Sequence, residues 1–260
     1  MADPMHQFQV EKVLDLPDVT LPLIGRIDMA ITNSTVAMFI AAGLVILFFA
    51  MVTASPKVVP GKLQAVGEGA FTFIDDLATG IIGHDGRQFF PYVFTIFTFI
   101  LAMNLLGMFT IFTATSQLAV TVTLAIMTFL LVIFVGFWKC GLGFLKLFLP
   151  SGVPWYLWWL VVPIEVISFF LRPVTLSLRL FGNMLGGHVA LKVFAGFVVS
   201  LGALAAGGGL GLLGIPGAAL SLGGVVALTA LEFLVAFLQA FVFAVLTCVY
   251  LNDAVHASAH

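Results

Sequence analysis

The chain has 260 residues, of which 62% are hydrophobic and only 8% charged, with 27 phenylalanines and a formal net charge of −2. Soluble domains carry about 25% charged residues, so this composition excludes one and points to an all-α polytopic membrane protein. The near-neutral balance leaves no basic field for nucleic acid, and Cys140 and Cys248 supply neither a disulfide framework nor metal-ligand spacing.

Residues 1–30 are acidic and precede the first apolar run. They lack a basic start followed closely by a short apolar core, so they read as a mature extramembrane arm and not as a cleaved signal. Residues 31–260 form the integral membrane domain. Its first span covers 35–54 and stops at SPKVVP, where two prolines and Lys57 end the helix. In residues 61–82, Phe71, Ile74, Leu77, Ala78 and Ile81 recur at helical spacing opposite polar positions, which predicts a surface-lying amphipathic helix. Segments 89–112 and 118–138 carry no formal charge, and each is long enough for the ~30 Å of hydrocarbon. The short polar turn TATSQ between them predicts a hairpin. Lys139 and Lys146 mark a loop ending in PSGVPWYLWW, whose aromatic residues suit an interfacial belt. Two unusually long apolar stretches follow, 153–206 and 217–251, divided by the glycine-rich AAGGGLGLLGIPGAA. At ~1.5 Å per residue an upright helix of either length overshoots the membrane, so both are tilted, curved or broken, with Pro163 and Pro173 as bend points. The expectation is five crossings plus one surface helix. Lys57, Lys62, Arg87, Lys139 and Lys146 sort to one side, against Lys12 and Arg26 on the other, which predicts the N-terminus outside and the C-terminus in the cytoplasm.

The charges left inside the apolar stretches form a constellation. Arg179 cannot shed its proton, and a charge at bilayer depth costs at least ~2.5–3.5 kcal/mol. Glu165, Arg172 and Arg179 are spaced by sevens and share a helix face, with Ser168 and Asn183 close to it. His188, nine positions beyond Arg179, falls on the opposite face. Glu232 and Gln239 also share a face, and an antiparallel pairing can bring Gln239 near Arg179 and Glu232 near His188. A carboxylate and an imidazole each take and release protons once their surroundings tune them. Arginine does not relay a proton, but its fixed charge can hold a carboxylate ionised or block a proton's path. Plainer readings stand beside these. Lys139, Lys146, Lys192 and Arg172 can snorkel to an interface, Glu165 can pair structurally with Arg172, and His188 can be a satisfied core histidine. GNMLG suits helix packing better than a phosphate cradle. No GxxxxGK[ST], GxSxG or HExxH motif occurs, so no ATP site is recognisable and no cofactor is expected.

PVTLSLRLFGNMLGGH followed by LEFLVAFLQAFVFAVLTCVYLNDAV closely resembles subunit a of the bacterial F-type ATP synthase. MNLLGM in the hairpin and the P-x-E-x-x-S run around Glu165 are similar to the same family. The resemblance covers most of residues 30–255. It implies a non-catalytic, proton-translocating stator subunit in the inner membrane, whose partners are a rotating c-ring, the subunit b stalk, other synthase subunits and lipid. Each ring subunit would present one membrane-embedded carboxylate, reached through two offset half-channels. Arg179 matches the arginine between the channels, and Asn183 and Gln239 match its polar neighbours. Glu165 matches an acid of the cytoplasmic exit, with Ser168 beside it; His188 and Glu232 match the inlet pair. Many bacterial members hold that pair interchanged, which reads as a compensated swap. The hairpin lacks the acid that other members place after its Asn, leaving Asn104 to line the inlet. A stand-alone secondary transporter with broken helices is the competing reading, opposed by five spans without visible internal similarity.

Overall fold

The computed structural model describes residues 12–14, 19–21, 25–27, 30–54, 56–109, 113–148, 155–206 and 214–256. The loop at 149–154 and most of the glycine-rich link, 207–213, lie outside the described residues, as does the side chain of Lys146. Among the described residues six α-helices run in chain order: α1 Asn33–Thr53, α2 Lys62–Ile82, α3 Gly86–Phe109, α4 Leu118–Cys140, α5 Trp158–Ala206 and α6 Gly214–Val255. All but α2 are long and apolar enough to cross a membrane.

Two features of the N-terminal arm were not anticipated. Strand β1 (Lys12–Leu14) pairs antiparallel with β4 (Ile31–Thr32), and β2 (Val19–Leu21) with β3 (Gly25–Ile27). Strands of two or three residues are too short for an alternating pattern to register in sequence.

Helix α1 is apolar on every side, the signature of a span; only Ser34, Ala37 and Ala41 are buried by the rest of the chain. By contrast α2 is two-faced. It buries Gly67, Ile74, Ala78 and Ile82 and leaves Glu68 and Asp75 outside the core. Gly67 lets α2 lie close to α1, since a Cβ there would stand 2.8 Å from Val52. Gly83 ends α2 at φ +79°, its N–H donating to the Thr79 carbonyl, a backbone geometry that glycine adopts without penalty. The anticipated hairpin of α3 and α4 is splayed: α6 packs against both helices, while Tyr92 Oη and Thr128 Oγ1 join them at 2.8 Å. Its connection is not an exposed turn, however: Thr113, Thr115 and Ser116 are 3%, 0% and 3% exposed and pack beneath α5. The TATSQ segment is polar because its hydroxyls face the interior of the bundle.

The two last helices, 49 and 42 residues long, are each continuous. Pro163 and Pro173 sit inside α5 without breaking it. At ~1.5 Å rise, α5 is about 74 Å long and more than twice the ~30 Å hydrocarbon thickness, so it cannot stand upright within it. The core lies where the second half of α6 enters the bundle of α3, α4 and α5. Ala236, Ala240 and Ala244 recur every fourth residue and Phe243, Thr247 and Leu251 interleave with them, all fully buried. Small residues on that stripe let backbones approach in the absence of a hydrophobic drive between helices in lipid. Helix α5 stays on the outside, burying only Phe169, Leu176, Ser177, Leu180 and Met184.

Candidate functional site

The antiparallel pair α5–α6 sets the site, and its register can be read as a ladder of contacts. Arg172 Nη1 donates to Asp253 Oδ2 at 3.0 Å. Next, Asn183 Nδ2 donates to Gln239 Oε1 at 2.8 Å. Then Gly187 meets Glu232, Gly224 meets Phe194 and Gly217 meets Leu201. Polar bonds hold one half of the pair, and glycines against large side chains close the other.

Arg179 stands within the polar half, bracketed by the contacts of Arg172 and Asn183. It is exposed and makes no ion pair or hydrogen bond among the described residues. Leu178, Gly182, Asn183 and Gly186 beside it are exposed too. A Cβ added at Gly182 or Gly186 would meet nothing within 4 Å. The small-residue pattern GNMLG therefore does not pack against α6; it opens a shallow lane next to the guanidinium on the chain's outer face.

On one side of Arg179, towards Asp253, lie Glu165 and Ser168. They sit about one turn apart on α5, with Glu165 half-buried and Ser168 exposed. Ser168 lines an open hollow with Ile164, Leu171, Arg172 and Thr175. The structural pairing of Glu165 with Arg172 is not found. Arg172 is taken by Asp253, and its guanidinium also lies 4.8 Å from the Tyr250 ring centre and 5.5 Å from Phe169. A carboxylate on α6 satisfies geometry that a same-helix neighbour two turns away reaches poorly. Asp253, part of the quoted LNDAV, carried a signal only as an unassigned acid at the end of an apolar stretch. Lys139 is paired: its Nζ is 2.8 Å from Asp85 Oδ2 and 5.6 Å from the centre of the Phe89 ring.

On the other side lies a buried polar cluster built by α3, the 113–117 turn, α5 and α6. Asn104 is fully buried and donates to the Ala236 carbonyl at 3.1 Å, leaving Oδ1 without a partner. The Glu232 carboxylate rests on Gly187, where a Cβ would be 2.5 Å from Oε1; that oxygen is buried and has no hydrogen bond. Thr115 Oγ1 and Gln239 Nε2 are also buried without partners. His188 does not hydrogen-bond Glu232 among the described residues. Its Nε2 lies 3.0 Å from Thr113 Oγ1, while Glu232 contacts the glycine immediately before it. Buried polar atoms in native proteins find partners in the great majority of cases, so these four atoms set the region apart from the apolar core around it. The hydroxyls of Thr113 and Thr115 were missed because a short polar connection between two spans reads as an exposed turn.

Neither cysteine joins the site: Cys140 Sγ donates towards the Ala254 and Val255 carbonyls at 3.4 and 3.3 Å, and Cys248 is buried. No group of three or more His, Cys, Asp or Glu side chains able to hold a metal occurs among the described residues.

A multi-pass helical bundle that displays the unpaired Arg179 on its outer face, between an acid on one flank and the half-buried His188 and Glu232 among buried polar groups on the other, has the organisation of a membrane ion-translocating subunit. Residues 35–252 match the family model described as ATP synthase A chain. The chain is 51% identical over 259 residues to ATP synthase subunit a of Allorhizobium ampelinum, covering 99% of each chain. It is 52% identical to that of Hyphomonas neptunium, covering 99% of this chain and 98% of the relative. The protein belongs to the ATP synthase A chain family.

Proposed function

We propose that the chain is the proton-translocating stator subunit of a bacterial ATP synthase membrane sector, with Arg179 as the barrier between two half-channels that open onto a ring of small carboxylate-bearing subunits. The single observation that supports this best is the unpaired Arg179 on an open face. A guanidinium held there at ~2.5–3.5 kcal/mol or more is stabilised by an anion that another protein brings to it. The lane at Gly182 and Gly186 gives a partner helix room to approach that charge.

In this reading a proton enters through the cluster of Asn104, His188 and Glu232 and passes to a ring carboxylate held by Arg179. After nearly a full turn of the ring, it leaves past Ser168 and Glu165. Asn183 and Gln239 hold each other and so fix the backbone on which Arg179 stands. ATP chemistry belongs to other subunits, and the subunit b stalk holds this chain still against the ring. Cys140 joins the end of α4 to the end of α6, which puts Lys139 and the C-terminal residues at one end of the bundle. This supports a cytoplasmic C-terminus in the inner membrane, with the N-terminal arm on the outer side.

Arg179→Ala tests the assignment. ATP-driven proton pumping and proton-driven synthesis are expected to vanish while ATP hydrolysis by the soluble sector persists. Near-native coupled pumping in that variant would refute it. Co-purification with an oligomeric ring of small hydrophobic subunits is the matching test of the partner.

A further inference from the structure

We propose that Thr113 is a positioning residue for His188, fixing its neutral imidazole in the tautomer that carries the proton on Nε2 and the lone pair on Nδ1. The proposal rests on the proton-entry role given to His188 above.

A threonine hydroxyl has one proton and two lone pairs, and a backbone carbonyl can only accept. Thr113 Oγ1 lies 3.2 Å from the Gly107 carbonyl, so the hydroxyl proton is directed there. What remains on Oγ1 is acceptor capacity, and His188 Nε2 stands 3.0 Å away. Two acceptors facing each other would repel, so Nε2 carries the N–H and Nδ1 the lone pair. The seat is rigid. Thr113 is 3% exposed, and its own carbonyl accepts from the Ser116 amide at 3.2 Å and from Ser116 Oγ at 2.6 Å. A β-branched side chain has few rotamers to exchange. Gly107 leaves room for it, because a Cβ at 107 would collide with the Thr113 methyl and sit 2.9 Å from its hydroxyl.

The consequence concerns direction. With Nε2–H committed to Thr113, an incoming proton can land only on Nδ1. The Nε2–H···Oγ1 bond then persists in both charge states, so the ring takes and releases its proton without turning over. Ser116 and Gly107, which act on His188 only through Thr113 in the hydrogen-bond network, serve the same purpose at one remove.

The test uses the intact synthase in membranes with ¹⁵N-labelled histidine, the His188 signals being assigned by their loss in His188→Gln. Native protein and Thr113→Ser should show Nε2–H alone, whereas Thr113→Val should show both tautomers. ATP-driven pumping in Thr113→Val should fall roughly fivefold, the factor of one net hydrogen bond, and Thr113→Ser should restore it. Gly107→Ala, which keeps the hydroxyl but pushes it off its seat, should reproduce the mixed tautomers if Thr113→Val does not assemble. A single Nε2–H tautomer persisting in the Val and Ala variants, or Nδ1–H in the native protein, overturns the role of Thr113 alone. Native-like pumping in His188→Gln overturns the entry role of His188 itself.

Discussion

Gly187→Ala probes the contact on which the two halves of the entry cluster depend. A Cβ at position 187 would stand 2.5 Å from Glu232 Oε1 and 3.2 Å from its Cδ and Cγ, whereas ordinary contact starts at 3.4 Å. The carboxylate must therefore retreat by about 0.9 Å. The retreating atom is the end of a flexible side chain with no hydrogen bond to lose, so the stability cost belongs at the low end of the about 1–3 kcal/mol typical of overpacking. Function is far more sensitive, since displacement of a reacting group by about 1 Å can cost on the order of 10²-fold in rate. The variant should assemble normally, as judged by immunoblot of the purified complex. It should lose most ATP-driven proton pumping, measured by fluorescence quenching in inverted vesicles. Glu232→Asp shortens the side chain by one bond of about 1.5 Å, so Gly187→Ala with Glu232→Asp should pump better than either single variant. Native pumping in assembled Gly187→Ala, or a double variant no better than the singles, would show that the carboxylate is not positioned by this glycine.

Exchanging His188 and Glu232 together should restore more proton flux than either single exchange. A double variant no better than the singles would deny that the two act as one unit. Asp253→Asn strips Arg172 of its carboxylate while leaving the Tyr250 and Phe169 rings. The expected loss is the low end of the about 1.5–3 kcal/mol of a charged hydrogen bond, read as earlier thermal release of the chain from the solubilised complex; Arg172→Met added to it should recover part, because the stranded charge is gone. The Lys139–Asp85 pair is 25% and 44% exposed, so Lys139→Ala should cost less than about 1 kcal/mol and leave pumping unchanged; a large pumping defect would give that pair a role it does not have here.

The five long helices were legible because lipid asks little of a sequence beyond a sufficient apolar run, and α2 because Phe71, Ile74, Leu77, Ala78 and Ile81 recur at helical spacing, although of these only Ile74 and Ala78 are buried and Phe71 is exposed. Spacing by sevens also brought the right faces of α5 and α6 into view: Gln239 does lie against Asn183, one turn from Arg179. What spacing could not give was the choice among partners. Arg172 had Glu165 on its own helix face and took Asp253 from the other helix. The 113–117 turn has the composition of an exposed connection, and only the packing of α5 over it turns its hydroxyls inward. Unpaired polar atoms such as Glu232 Oε1 and Asn104 Oδ1 are properties of the assembled interior and have no sequence signal at all.

The ladder between α5 and α6 explains how an unpaired charge can be held still. Arg179 lacks any bond of its own among the described residues, so its position is inherited from the backbone beneath it. That backbone is pinned on one side by Arg172–Asp253 and on the other by Asn183–Gln239, two contacts eleven residues apart on α5 that bracket Arg179. Glu232 on Gly187 and Phe194 on Gly224 continue the seam, each large group filling the space a glycine leaves. Such packing changes in steps, not continuously, so a force applied at the open face is resisted by the whole seam. The proposed stator role suits this arrangement: Arg179 shares its open face with Leu178, Gly182, Asn183 and Gly186, while Arg172–Asp253 and Asn183–Gln239 fix the backbone against α6.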